Sequence, residues 1–575
     1  MKRQASLHNL NGKMMNNINN ELFPIGNGRF YALIKELSVK EIYATHGNLS
    51  FCSFEYQKED NESSFTKSQR IFNSSRWHTR VLELINPGTN EEFLHYCSET
   101  DDTVIPENDL FIRRIKNKEP MFFKLKIPSY ARLVKAPDVI YSSYKATAYF
   151  IKISYGNYEE ILQLSFSGDC RFNPYDMTFS AGTGESIIIF AVGTIPANVH
   201  RNSARVFRLY QEEKIPEGAL LFKEEKWDNI RNAVFALTIH TMNQRGIVAG
   251  SNDPYLRMFP VYASVKLFNS IGIKKFAKAL CINSLNRFLS VSDCVGVGPK
   301  KELQFSTDIF SVVPSLLWLC AFETPDEAFL KSMLPFMLAR CKIQAKSLIS
   351  GMLTFEGREY YYNNFCPVTD GSAISTLLFI KSTELLCRYS EDKEIQTALL
   401  AARDSYRNNF IKDSKIYLNS HKRSFHARFP KFIYGVCSFC ENKEFKWLTK
   451  NSANSYCCDD CMDIYKSKAA PNINFEKESY LPALWAVYIE SDMFTPEEIR
   501  YSQDLALNNL DNIHINDLAL LLYSMSKFPH KAQRQIYDLI ISKQNSLGIW
   551  YDRNGNFDTF SNALCALAVS KAKKL

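Results

Sequence analysis

The sequence predicts a β + α multidomain chain: an N-terminal antiparallel β-sandwich followed by an (α/α)6 toroid. Three observations predict it. Short alternating apolar and polar runs, separated by turn formers, fill residues 21–215. Near Trp227 the hydrophobic period changes from two to between three and four. Beyond that point twelve helical segments follow, and no sequence motif repeats among them at a fixed period.

The first 20 residues are Asn-rich and predict a flexible N-terminus. The β domain, 21–215, rests on runs such as ATAYFIKISY, EILQLSF and ESIIIFAV. Breakers such as Gly182-Thr183-Gly184 and Asn86-Pro87-Gly88 separate its strands. The helical domain is placed at 222–575. Its segments run roughly 225–243, 254–270, 272–291, 307–322, 326–349, 372–388, 391–411, 476–490, 496–509, 516–527, 530–544 and 558–573. Twelve helices are the number that closes six hairpins into a ring. An open solenoid is the alternative, and the absence of a fixed-period motif argues against it.

A chain of 575 residues is too long for one ordinary core. Apolar residues at 46% and charged residues at 23% are ordinary globular values. The 13% of aromatic residues suits either core packing or the faces of sugars. A net charge of +8 is mild over this length, so nucleic acid is an unexpected partner. No window of 18 apolar residues exists, which excludes a membrane helix. The polar N-terminus has no signal-type apolar stretch, and most of the fifteen cysteines sit singly in apolar runs. Both features predict reduced thiols and a cytoplasmic protein.

Between the seventh and eighth helical segments, residues 412–475 are polar, aromatic and Cys-bearing. A connection that long needs its own reason to exist. Within 430–470, Cys437 and Cys440 form one CxxC; Cys458 and Cys461 form a second after 17 intervening residues. Two such pairs complete a tetrahedral thiolate shell, so one structural zinc is predicted, in a zinc knuckle inserted in the helical domain. Cys457 can replace Cys458 through CxxxC spacing, and a chance cluster of free thiols is the bland alternative. Such a knuckle can dock a protein partner or, less in keeping with a single module, nucleic acid.

Several stretches carry a family resemblance. They are Pro24-Ile25-Gly26-Asn27-Gly28, Asn108-Asp109-Leu110-Phe111-Ile112-Arg113-Arg114, WDNIRNAVFALTIHTMNQRGIVAG from Trp227, DPYLRMFPVYASVKLFNSIG, Thr307-Asp308 and Cys320-Ala321-Phe322-Glu323-Thr324-Pro325-Asp326. In order along the chain these resemble the glucoamylase-type glycoside hydrolases, family 15 and its debranching-enzyme relatives, within the six-hairpin glycosidases. The resemblance implies inverting hydrolysis of an α-linked glucan or oligosaccharide. A general acid would come from the loop between helical segments five and six, and a base from the loop between eleven and twelve.

The first loop, FEGREYYYNNFCPVTDGSA, offers Glu356, Glu359 and Asp370; the second, NSLGIWYDRNGNFD, offers Asp552 and Asp558. The catalytic candidates are Asp370, Asp552, Glu359 and Asp558. Tyr361, Tyr362, Trp550 and Tyr551 are candidates to stack on sugar, and Arg257 is a further substrate-binding candidate. For Asp370 and Asp558 the alternative role is capping the helix that follows. Two departures stand out. Where the family has an Arg-Asp pair opening its second helix, this chain has Pro260-Val261-Tyr262-Ala263. Where relatives have the acid Asp, Glu359-Tyr360-Tyr361-Tyr362 leads to Asn363. These departures leave open a catalytically inactive carbohydrate-binding or regulatory scaffold of the same fold.

Overall fold

The computed structural model describes the chain apart from residues 1–22, 27–30, 36, 44–49, 58–65, 74–75, 86–92, 105–109, 118–119, 142–143, 156–157, 212–229, 231–232, 235–236, 238–255, 289–293, 298–302, 306–311, 325, 349, 354–356, 360–365, 369–371, 419–431, 437–444, 451–455, 458–477, 511–512, 545–547, 552–556 and 573–575. Two compact units divide it. The first is Met1–Arg245 with Gln544–Phe557, and the second is Gly246–Lys543 with Asp558–Leu575.

Among the described residues, the first unit has fourteen strands. They are β1 (Phe23–Gly26), β2 (Tyr31–Lys35), β3 (Ser38–Tyr43), β4 (Ser53–Gln57), β5 (Thr66–Asn73), β6 (Arg76–Ile85), β7 (Phe93–Val104), β8 (Leu110–Asn117), β9 (Met121–Lys126), β10 (Ala131–Lys135), β11 (Val139–Tyr141), β12 (Tyr144–Tyr155), β13 (Tyr158–Asn173) and β14 (Thr178–Gly193). All pair into one antiparallel network in the order β1-β2-β3-β4-β9-β14-β8-β7-β6-β5. From β14 it branches through β13 to β12, which carries β10 and β11. The antiparallel β domain expected from the sequence is present, and its described strands belong to one hydrogen-bonded network. The long strand β14 makes this possible, because its early residues pair with β9 and its later ones with β8.

Both faces of β14 are buried, which is why ESIIIFAV reads as a nearly unbroken apolar run. On one face Phe190 stacks on Phe111 at 4.5 Å and lies edge-on to Phe54, which stacks on Phe123 at 4.6 Å. On the other, Ile187, Ile189 and Ala191 join Leu110, Ile112 and Val199 in one cluster.

Val199 belongs to a helix inside the stretch read as β. This helix, α1 (Pro196–Gln211), packs on β14, β13 and β11. Pro196 at its first position pre-sets the helical φ, and Val199 and Ser203, one turn apart, are both buried.

The second unit holds eleven described helices: α2 (Met258–Ser270), α3 (Lys274–Phe288), α4 (Val313–Glu323), α5 (Glu327–Ser347), α6 (Ala373–Cys387), α7 (Lys393–Phe410), α8 (Leu481–Tyr488), α9 (Pro496–Leu507), α10 (Ile515–Lys527), α11 (Gln533–Ser542) and α12 (Thr559–Ala572). They match eleven of the twelve segments expected. In 225–243, most of which is outside the described residues, Ala233, Val234 and Leu237 are helical and buried.

Even-numbered helices pack on one another in the order α2, α4, α6, α8, α10, α12, and α12 packs back on α2. These inner helices are apolar nearly all round, as helices covered on every side must be. The outer helices are amphipathic. In α9 only Ile499, Ser502, Gln503 and Ala506 are buried, which is one stripe. No helix among the described residues is long and apolar enough to cross a membrane.

Candidate functional site

The connections are unequal at the two ends of the helical unit. An inner helix passes to its outer partner through 271–273, 324–326, 388–392, 489–495 and 528–532, all short turns. An outer helix returns to the next inner helix through 289–312, 348–372, 411–480, 508–514 and 543–558, most of them long. All the long loops therefore meet the N-termini of inner helices. Long loops on a rigid scaffold are where binding groups collect. The positive dipole ends of inner helices add a preference for carboxylates and other anions at that end.

The loop 348–372 is tied at its base. Ser372 N donates to Leu353 O (3.0 Å), and Leu353 N donates to the Thr376 hydroxyl (3.1 Å). Beyond that base, β18 (Gly357–Glu359) pairs antiparallel with β19 (Cys366–Val368), setting Glu359 opposite Cys366. Glu359 is therefore the last residue before the hairpin tip. Tyr361 and Tyr362, in the tip, and Asp370, between β19 and α6, lie outside the described residues. Ser372 caps α6, its hydroxyl accepting from Ser375 N at 3.1 Å.

Asp558 is committed differently. It is fully buried, and its carboxylate accepts from Phe560 N (3.2 Å), Ser561 N (3.1 Å) and the Ser561 hydroxyl at the start of α12. This is an N-cap with most of its acceptor capacity used. Just upstream, Tyr551 bridges Phe557 and closes the short excursion 552–556. Asp552, the first residue of that excursion, lies outside the described residues. Trp550 is completely buried and Tyr551 half-buried, so Trp550 has no face open to a sugar. Trp550 and Tyr551 group with the first unit, whereas Glu359 and Asp558 belong to the second. Arg257, buried, forms with Leu256 the strand β15, which pairs with β16 (Cys294–Val297), itself paired to β17 (Leu303–Phe305). It immediately precedes α2, at the same end as the long loops.

The structure adds residues that the sequence reading did not single out. Tyr480, just before α8, donates its hydroxyl to Asp517 Oδ2 at 3.1 Å; Asp517 is 5% exposed. His514 caps α10, its Nδ1 accepting from Asn516 N at 3.3 Å. Asn516 is 0% exposed, and neither atom of its side-chain amide has a hydrogen-bond partner among the described residues. Burying an amide without partners costs free energy, so such sites often answer to a ligand or water. The signal in the sequence was the polar pair Asn516-Asp517 opening the apolar run LALLLYSM.

Down the middle of the inner helices, aromatic rings meet across the ring. Phe259 lies edge-on to Trp485 at 5.5 Å, Trp485 stacks on Phe560 at 6.3 Å, and Tyr262 lies edge-on to Tyr488 at 5.7 Å. Val261 and Tyr262 are packed in this core. Toward the short-turn end the column finishes at Lys266, whose Nζ is 2.7 Å from Glu323 and 3.8 Å from Glu490. Burial disfavours the Lys266 charge, but Glu323, Tyr523 and Glu490 outweigh it and hold its pKa above the ordinary lysine value.

No family model matches the chain, and no curated protein matches it in sequence. Among solved structures it is similar to a protein assigned as a kojibiose phosphorylase, from the human microbiome. The identity is 9% over 97% of this chain and 87% of that one, with a TM-score of 0.50. It is likewise similar to a bacterial glucoamylase complexed with acarbose, 8% identical over 96% of this chain and 95% of that one, TM-score 0.50. Identities this low carry the fold alone: the chain has a glycosidase-like six-hairpin fold, an antiparallel β domain joined to paired helices.

Proposed function

We propose that the protein binds a carbohydrate at the long-loop end of its helical unit and cleaves an α-linked glucan or oligosaccharide with inversion. The observation that carries this reading is the gathering of long, acid-bearing loops at the N-termini of the inner helices, in a glycosidase-like fold. In the proposed mechanism Asp370 protonates the leaving oxygen and Asp552 activates the attacking water, with Glu359 the substitute acid. Asp558 is set aside because the α12 cap occupies it. If phosphate replaces water as the nucleophile, the acid alone is needed. The free buried thiols of Cys52, Cys281, Cys320, Cys341 and Cys565 support a reducing, cytoplasmic setting.

A second reading, a carbohydrate-binding scaffold without catalysis, is favoured by one observation. Val261 and Tyr262 are core residues where the resemblance expects a charged pair to grip sugar.

The test is a panel of oligosaccharides scored for binding and for release of reducing sugar, with and without inorganic phosphate. The proposal expects cleavage giving the inverted anomer by NMR. Asp370→Asn and Asp552→Asn should each lower turnover by about 10²-fold or more. Binding without cleavage replaces the enzyme by the scaffold. Turnover retained in both variants overturns the residue roles.

A further inference from the structure

The four cysteines expected to hold zinc, Cys437, Cys440, Cys458 and Cys461, lie outside the described residues. Among the described residues, Asn516 alone has both polar atoms of a buried side-chain amide without a hydrogen-bond partner. It is the second residue of α10 and is 0% exposed. An amide offers an acceptor oxygen and two N–H donors, and here all of them are idle where bulk water is excluded.

The helix fixes where this amide points. Asn516 and Tyr523 are two turns apart, so they share one face of α10. Tyr523 lies edge-on to Tyr488 at 5.5 Å, and Tyr488 lies edge-on to Tyr262 of α2. Helices α2 and α8 are not neighbours in the ring order, so those rings meet across its middle and the shared face of α10 looks inward. Side chains tilt toward the N-terminus of their helix. Asn516, in the first turn, is therefore directed both inward and toward the long-loop end.

The next residue sets the charge there. Asp517 is the carboxylate of the first turn, answers the α10 dipole, and accepts from the Tyr480 hydroxyl at 3.1 Å. That bond ties the approach to α8 to the head of α10. With one carboxylate already in place, a second anion such as phosphate is repelled and a neutral ligand is not.

We infer that Asn516 is a specificity-determining residue for a neutral pyranose, its amide accepting from one sugar hydroxyl and donating to the adjacent one. An amide and a vicinal diol match donor for acceptor. The inference rests on the carbohydrate reading proposed above and adds the residue that tells a complete sugar from one lacking a hydroxyl. A site built to bond a hydroxyl rejects the analogue without it, because its own polar group is then left unpaired.

The test is binding, measured by calorimetry on the full-length protein with sulfur-linked, uncleavable analogues of maltotriose, isomaltotriose and nigerotriose. The parent should bind at least one. Asn516→Leu, of similar volume, should weaken that binding by about 10-fold or more, yet melt no lower than the parent, since an amide without partners adds nothing to the fold. An amide satisfied only by ordered water gives the reverse, a lower melting temperature with binding unchanged, and overturns the inference. Among monodeoxy forms of the bound sugar, one should bind the parent about 10-fold or more weakly, and Asn516→Leu should no longer discriminate against it. If leucine prevents folding, Asn516→Ala carries the same expectation for binding. Inorganic phosphate should not displace the sugar; displacement that depends on Asn516 would make this an anion site and overturn the inference. A parent that binds sugar while its Asn516 variants bind as tightly sinks this inference alone. A parent that binds none of the three sugars sinks the α-glucan reading with it.

Discussion

Asp370 and Asp558 illustrate how one residue type opening a helix can serve two ends. Each precedes an apolar helix by a few residues, and from sequence alone capping and catalysis are equally open to both. Packing separates them. Asp558 is buried with two backbone N–H groups and a hydroxyl donating to it, whereas at α6 Ser372 takes the capping bond. Removing a buried acceptor leaves those donors unsatisfied, so Asp558→Ala should lower unfolding stability by about 2 kcal/mol. Asp370→Asn should leave stability within about 0.5 kcal/mol, because Ser372 supplies the capping hydroxyl of α6. Denaturant titration of the two variants checks this. An Asp370→Asn loss as large as that of Asp558→Ala would return Asp370 to a structural role.

At the scale of elements, the helices were legible because burial imposes a period. Inner helices are apolar on every side and outer ones on a single stripe, and both patterns survive in a single sequence. The helix α1 was not legible, because it is a single helix between a β run and a polar link; Val199 and Ser203 are its buried residues within 196–205. The strand order was not legible either, since pairing partners distant in sequence leave no local trace; β8 and β14 are an example. Of the candidate site, the loops could be found by position and charge. The burial of Trp550 depends on tertiary packing that no local pattern encodes, while the pair Asn516-Asp517 left only its place at the head of an apolar run.

One further element sets the geometry of the acid-bearing loop. The turn at Ser350-Gly351 has φ of 51° and 74°, and Asn409 of α7 donates to Ser350 O at 2.9 Å. A Cβ on Gly351 would come within 2.7 Å of the Ala401 carbonyl oxygen, a backbone atom of α7 that cannot swing away. Gly351→Ala should therefore cost about 1–3 kcal/mol, from positive φ and overpacking together, and displace the start of the loop. Thermal unfolding measures the loss. A variant as stable as the parent would show that the turn is not seated on α7.

For the molecule as a whole, the closed order of inner helices needs ties across its middle, and Lys266 is one. It extends from α2 to Glu323 at the end of α4 and to Glu490 beyond α8, beside the rings of Tyr262 and Tyr488. A lysine that is 7% exposed is costly unless its charge is matched, so breaking the pair is worse than never having built it. Glu323→Gln should lower stability at neutral pH by about 3 kcal/mol. The pH dependence gives an independent signature. Unfolded, Lys266 loses its proton near 10.5; folded, it keeps it to higher pH. Unfolding above 10.5 therefore releases a proton. The stability this group supplies is complete below 10.5 and is lost as the pH climbs through the folded value. Tyr262 and Tyr488, whose burial raises their own pKa values, add a loss of the same sign that persists when Lys266 is replaced. The comparison that isolates the tie is the melting temperature of the parent and of Lys266→Met between pH 9 and 11.5. The parent curve should fall more steeply over that range. Parallel curves would mean that Lys266 titrates as it does in water and that the inner helices are held by aromatic packing alone.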